Sequence, residues 1–258
     1  MIDYFDEFKK KYGHVRRARG YYLYTEKGIR LLDMNLDNGR SILGRRPKGL
    51  QTSYKQKLDK GMLGFFPTQA FSKLEQVGKK LFPHFFLRVY NTSERAFLEA
   101  KKGFSDVVIF YPYSQNVNVD TLETFIFFPP FATQTTLVFF NEKNVSPDIL
   151  PSDRVPEIEL FTITKALSLL QKEKNRYLAT IQKNTFLPTL QDFFLIDNGY
   201  LYVKNNITEK KYRELFYFFL DRKILISNDI SIPSIFPLIE HYSELGNAIK
   251  DLRGFIWK

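Results

Sequence analysis

Residues 19–33, Arg-Gly-Tyr-Tyr-Leu-Tyr-Thr-Glu-Lys-Gly-Ile-Arg-Leu-Leu-Asp, constrain this chain more than any other stretch. They spell an aromatic strand, a turn at Glu26-Lys27-Gly28 and a second strand ending at Asp33. Gly28 supplies a positive φ that a β-branched residue would resist, so the two strands are set up to fold back on each other. Ile42-Leu43-Gly44-Arg45-Arg46-Pro47 follows shortly after, closing the segment with a second glycine and a proline.

The rest of the composition narrows the class. A chain of 258 residues buries a substantial core as one large domain or two modest ones. With 26 Phe and 15 Tyr against one Trp, that core is expected to be packed with rings. No apolar run reaches the roughly 18 residues that span a bilayer. Met1-Ile2-Asp3-Tyr4-Phe5-Asp6-Glu7 is acidic and aromatic, unlike the basic start of a signal peptide. Zero cysteines exclude a disulfide framework, a thiolate metal site and a cysteine nucleophile. These features place the protein in the cytoplasm, away from membranes. The net charge of +10 sits in the front of the chain, where residues 1–102 hold 22 Lys and Arg against 10 acids. Lys9-Lys10-Lys11, Arg16-Arg17 and Lys79-Lys80 are scattered between apolar positions and read first as solvated faces. Binding to nucleic acid is therefore the minor reading.

Along the chain, residues 1–18 read as an amphipathic helix, followed by the hairpin and by helices over 48–60 and 68–82. A strand at 85–90, a helix at 93–102 and the apolar run Asp106 to Tyr111 then suggest a β-α-β order, the last run being buried on both faces of a parallel sheet. Further strands are expected at 125–128 and 136–140. A proline-punctuated loop spans 141–156, and a long helix begins near Phe161. After it come strands at 192–196, 199–203 and 224–227, and helices at 208–222 and 243–252. Tyr212, Leu215, Phe216, Phe219 and Leu220 fall on one helical stripe. Thr208 and Ser243 are placed to cap the last two helices.

The hairpin followed by Leu43-Gly44 and Pro47 resembles the entry segment of the class III aminotransferases, the group that contains glutamate-1-semialdehyde aminomutase. The α+β pattern after Phe161 is similar to the small domain of that family. The resemblance implies an α/β protein of truncated fold type I architecture, the scaffold of pyridoxal phosphate (PLP)-dependent transferases. It would have a shortened, mainly parallel large domain at 62–160, and a small α+β domain built from 1–61 and 161–258.

The same resemblance nominates site residues. In the family, a Ser-Gly-Thr/Ser-Glu-Ala turn between a strand and a helix holds the cofactor phosphate. Asn91, Thr92, Ser93 and Glu94 stand in the matching place, with Thr92 where the family has glycine. Read without the resemblance, Ser93 simply caps a helix. Arg40, Arg45 and Arg46 cluster near the family's substrate segment and could clamp a carboxylate or phosphate, although a solvent-exposed basic loop is the simpler reading. The family's pyridine-facing aspartate would fall on Phe140 or Asn141, with Glu142 as a substitute. Lys143 and Lys165 are the only lysines between that strand and the long helix, and neither matches the Schiff-base position. His14, His84 and His241 lack metal-ligand spacing, and Asp33, Asp37 and Asp120 look isolated.

These losses together point to an aminotransferase-like protein without catalytic residues or a resident metal, which binds or regulates; no resident cofactor is the first expectation, with pyridoxal phosphate binding as the alternative. Its expected partners are a second copy of itself and a small anionic ligand. The alternatives are an active PLP-dependent aminotransferase with a relocated lysine, and a basic nucleic-acid-binding module.

Overall fold

The expected hairpin forms, and a strand that the sequence does not announce joins it. The computed structural model describes residues 1–258 apart from 103, 105, 106, 144–147, 240, 241, 253 and 255–258. The chain opens with α1 (Phe5–Tyr12), β1 (Val15–Arg19), β2 (Tyr22–Thr25), β3 (Arg30–Asp33) and the single turn α2 (Leu36–Gly39). Next come α3 (Leu50–Asp59), α4 (Ala70–Leu81), β4 (Phe85–Tyr90), α5 (Ser93–Lys101), β5 (Val108–Phe110), β6 (Thr124–Phe127) and β7 (Thr136–Asn141). The last third holds α6 (Glu157–Gln182), α7 (Leu187–Leu190), β8 (Phe194–Asp197), β9 (Tyr200–Val203), α8 (Glu209–Asp221), β10 (Ile224–Leu225), β11 (Ser234–Ile235) and α9 (Ser243–Leu252). Two compact units result: residues 1–46 with 175–258, and residues 47–174. The sequence-based limits, 61/62 and 160/161, both fall inside the second unit.

In the first unit the expected helix over 1–18 stops early. Gly13 sits at φ 76 and donates its N–H to Lys9 O at 2.9 Å, which ends α1 and frees Val15–Arg19 to pair antiparallel with β2. The sheet order is β1-β2-β3-β10, with β10 parallel to β3. A second sheet runs β11-β9-β8. Helix α8 buries its stripe from Tyr212 to Leu220, and Thr208 caps it by accepting the Lys211 N–H at 3.4 Å. Ser243 departs from its expected role: it is the first residue of α9, and its hydroxyl donates to Glu244.

In the second unit the sheet order is β4-β7-β6-β5. The expectation of a mainly parallel sheet is corrected here. β7 runs antiparallel to both β4 and β6, and only β5 and β6 are parallel. The run at 106–111 is corrected too: β5 lies at the sheet edge with half-buried residues, so its apolar character does not mean burial on both faces. Asp106 lies outside the described residues.

Strand alternation distributes the rings over the two faces of this sheet. On one face Phe82, Phe85, Phe125 and Phe139 meet, with the Phe125 and Phe139 rings stacked at 4.9 Å. Gly78 of α4 lies so close to this face that a Cβ there would stand 3.2 Å from the Phe139 ring. On the other face Tyr90, Ile126, Val138 and Phe140 pack with Ala96 and Ala100 of α5. Phe127 is buried in the same sheet, while Phe65 and Phe66 are exposed.

Phe139 sits at the centre of the first ring cluster. Phe139→Ala is expected to destabilise the fold by about 3–5 kcal/mol, measured by denaturant unfolding monitored by circular dichroism. A loss below about 1 kcal/mol would show that this cluster does not hold the sheet.

Candidate functional site

β4 delivers Tyr90 and Asn91 to the start of α5. Thr92 is extended (φ −137, ψ 154), and its Oγ1 accepts the Arg95 N–H at 3.2 Å, so Thr92 rather than Ser93 caps the helix. The first turn of a helix favours an anion. Beside that turn stands a carboxylate of the chain itself, held by the residue before the cap and by the Arg95 side chain. Asp153 Oδ2 accepts the Asn91 N–H at 2.9 Å, and Oδ1 lies 3.1 Å from Arg95 Nη1.

Asp153 is held there by a strap. Its N–H donates to Val89 O at 2.8 Å, and Ser152 Oγ accepts the Val89 N–H at 3.1 Å. Asn91 Nδ2 donates to Arg154 O at 3.2 Å, the Tyr90 hydroxyl to Leu150 O at 3.0 Å, and the Leu150 N–H to Glu99 Oε2 at 3.0 Å. Burial and the Glu99 carboxylate push the Tyr90 hydroxyl up to about 12, so it remains a donor at neutral pH. Of the four nominated residues, Asn91 and Thr92 therefore bond within the chain, Glu94 is exposed and Ser93 is half-buried. The loop reading of 141–156 gave no sign of Asp153. Two aspartates, Asp148 and Asp153, stand among Pro147, Pro151 and Pro156, and nothing local distinguishes the second.

Arg45 is likewise engaged, in the first unit. Its Nε and Nη2 lie 2.8 and 2.7 Å from Asp33 Oδ2, and its Nη1 pairs with Asp37. Asp33 is fully buried and accepts the Leu36 N–H at 3.0 Å; Asp37 accepts the Ser41 hydroxyl at 2.7 Å. Asp33 and Asp37, isolated in the linear sequence, thus share one guanidinium. The triad steadies an unusual turn: Leu36, Asp37 and Asn38 all have positive φ, 43, 57 and 57. Side chains resist that region, so the turn needs outside support. Arg45 is a structural tie, not a free clamp, while Arg46 is exposed and Arg40 half-buried.

Burial pushes the Asp33 carboxyl above the usual range despite the nearby Arg45. Burial also works against the charge on Arg45, but Asp33 and Asp37 outweigh it and raise its affinity for the proton.

The residues at the cofactor positions do not fit a Schiff-base group. Phe140 is buried against Phe86 and Phe104, with ring centroids at 5.3 and 6.2 Å. Asn141 Nδ2 donates to Leu122 O at 3.4 Å, and Glu142 forms a surface ion pair with Lys79 at 2.7 Å. No carboxylate at these positions is left to face a pyridine nitrogen. Lys143 and Lys165 are both exposed, without the desolvation that activates a lysine. His14 and His84 are exposed, and His241 lies outside the described residues. Among the described residues no group of three or more His, Asp or Glu could hold a metal ion, and no helix is long and apolar enough to cross a membrane.

The fold matches known enzymes end to end. A Plasmodium yoelii ornithine aminotransferase superposes with a TM-score of 0.67 at 12% identity, covering 98% of this chain and 99% of the other. An acetylornithine aminotransferase from Elizabethkingia anophelis gives 0.67 at 10% identity, with 97% of each chain covered. A structure described as "Transaminase with PLP bound" gives 0.72 at 10% identity, covering 93% and 90%. The chain therefore has the fold of the class III, PLP-dependent aminotransferases. In sequence it is 28% identical over 297 residues to an uncharacterized protein of Treponema pallidum, covering 95% of both. Over 88 residues it is 33% identical to glutamate-1-semialdehyde 2,1-aminomutase of Hyperthermus butylicus. Those residues are 34% of this chain but 21% of the aminomutase, which is the longer protein. No protein-family model matches the chain.

Arg45→Met strands the buried Asp33 carboxylate and is expected to cost about 3–5 kcal/mol of stability. A carboxyl raised on folding favours the folded state below its unfolded-state value and loses that contribution as pH rises through its folded-state value. The defect should therefore shrink in thermal unfolding as the pH is lowered toward the ordinary carboxylate range, where the stranded Asp33 takes up a proton. Adding Asp33→Asn should recover most of it. A pH-independent loss would assign Arg45 a packing role alone.

Proposed function

We propose that this chain keeps the aminotransferase scaffold and has given up Schiff-base catalysis, acting in the cytoplasm as a binding or regulatory protein. The observation that carries this reading is the Asp153 carboxylate at the start of α5, where the family's cofactor phosphate is expected. An internal anion on these donors competes with any external one through charge repulsion and through occupied hydrogen bonds. Phe140 in the ring core and the exposed Lys143 and Lys165 support the same reading.

A strict absence of cofactor goes beyond what the likeness to PLP-dependent enzymes supports. PLP held without a lysine bond is compatible with this proposal; a catalytic lysine is not. We assign the chain a homodimeric state on the exposed apolar row Tyr54, Leu58, Leu63, Phe65 and Phe66, more than a monomer needs to leave in water. Light scattering should then report twice 30.5 kDa.

The decisive experiment adds PLP, reduces with borohydride and measures the intact mass. The expected result is an unmodified chain and no amino-group transfer to a keto acid. A stable adduct on one lysine together with transfer would restore the rival reading, an active aminotransferase with a relocated base.

The anion argument has its own check. Asp153→Ala should lower the melting temperature, and inorganic phosphate should restore part of the loss by taking the freed Asn91 N–H and Arg95. The same phosphate should leave the wild type unchanged. Equal phosphate stabilisation of both proteins would mean that Asp153 does not fill the site.

A further inference from the structure

Pairing of β1, β2 and β3 gathers basic and aromatic side chains that the sequence scatters. In register, Arg17 stands opposite Tyr24 and Arg19 opposite Tyr22, while Arg30 stands opposite Tyr24 on its other side. Residues directly opposite one another share a face of the sheet, so these five side chains occupy one face. The Arg17 guanidinium lies 4.2 Å from the Tyr24 ring centroid, that of Arg30 4.6 Å from the Tyr22 centroid, and the two rings are 6.5 Å apart. The other face of the same strands carries Leu23 and Leu31, both buried in the core.

The face is open to a partner. β1 is the edge of its sheet; Arg17, Arg19 and Arg30 are exposed, and Tyr22 and Tyr24 are half-buried. Arg30 shares its charge with Glu244. Among the described residues no carboxylate lies within ion-pair distance of Arg17 or Arg19, which leaves two positive charges to be met from outside. A cation held over a ring keeps both side chains in place, so less rotamer freedom is lost when a flat group stacks on them. An acidic peptide would use the charges and leave the rings idle. A duplex keeps its bases stacked inside and offers the rings nothing. A single strand supplies both halves: phosphates for the arginines, and open base faces for tyrosine rings and guanidinium planes.

We propose that this face binds single-stranded nucleic acid, with bases stacked on the Tyr22–Arg30 and Tyr24–Arg17 pairs and the phosphates held by Arg17 and Arg19. Such binding tolerates many sequences, because every base has a π-face. None of these residues stands at a cofactor position or in the exposed apolar row of the second unit. The inference is therefore independent of the PLP experiment and of the dimer.

The test is fluorescence anisotropy of the full chain, without PLP, against labelled oligo-uridylate, oligo-deoxythymidylate and a duplex, each about 12 nucleotides long. Both single strands should bind more tightly than the duplex, and more weakly as salt rises. Arg19→Gln, at an exposed side chain, should reduce the slope of log affinity against log salt by about 0.7, the share of one phosphate contact on a single strand. Tyr24→Leu should lower single-strand affinity about fivefold to a hundredfold and leave that slope unchanged. Tyr24→Phe keeps the ring and should bind like the wild type, which separates lost stacking from a folding defect. Wild-type affinity in Tyr24→Leu would overturn the proposal, and so would duplex binding as tight as that of the single strands. Displacement of the oligonucleotide by polyglutamate at equal charge would overturn it too, by making the face a site for an acidic peptide. Failure of both single strands to bind at low salt would end it outright.

Discussion

Much of the first unit depends on one guanidinium. Arg45 lies twelve residues after Asp33 and eight after Asp37, and it joins both carboxylates although the turn between them has its backbone in the left-handed region. Each party is costly alone: a buried carboxylate without a cation, and side-chain-bearing residues at positive φ. Together they form a closed knot. The Arg45 N–H donates to Gly20 O at 2.7 Å and the Tyr21 hydroxyl to Ile42 O at 2.8 Å, which ties the start of the hairpin to the segment that follows it. Gly44 is required in this contact, since its φ is 79 and a Cβ would stand 2.9 Å from Gly20 O. A segment that resembles a substrate-contacting element is here committed to holding itself together.

A similar economy governs the second unit. The sheet turns one ring-lined face toward α4 and the other toward α5, and Asp153 stands beside the start of α5, paired with the Arg95 guanidinium and the Asn91 N–H. Both nominated anion positions, Arg45 and the turn at 91–94, thus find their counter-charges inside the chain. Glu157, by contrast, is buried with a hydroxyl, that of Thr68, as its side-chain partner.

Legibility in the sequence followed the range of the interactions. The hairpin, the apolar stripe of α8 and the Thr208 cap depend on neighbours a few residues away, and they were readable. The end of α1 at Gly13 was missed because the aromatic spacing of Tyr4, Phe5, Phe8 and Tyr12 continues smoothly into a strand. Strand direction was misjudged because β7 is buried among long apolar runs, and such runs do not say which way a strand points. The Asp153 contact spans 62 residues and the Arg45 triad needs a turn that side chains disfavour. No local pattern encodes either. Thr92 in place of the family's glycine was a visible departure, but only the geometry shows an internal carboxylate beside it.

The strap that carries Asp153 has a second face. β4 borders only β7 in its sheet, so its outer edge would present unpaired amides and carbonyls to any other extended chain. Ser152 and Asp153 take up the Val89 N–H and carbonyl on that edge. The segment therefore guards against strand-to-strand association as well as placing a carboxylate beside a helix start. Its loss would expose a template for strand pairing beside a cluster of phenylalanines. Any lineage that reopened this anion site would also have to find a new way to keep the sheet from recruiting its neighbours.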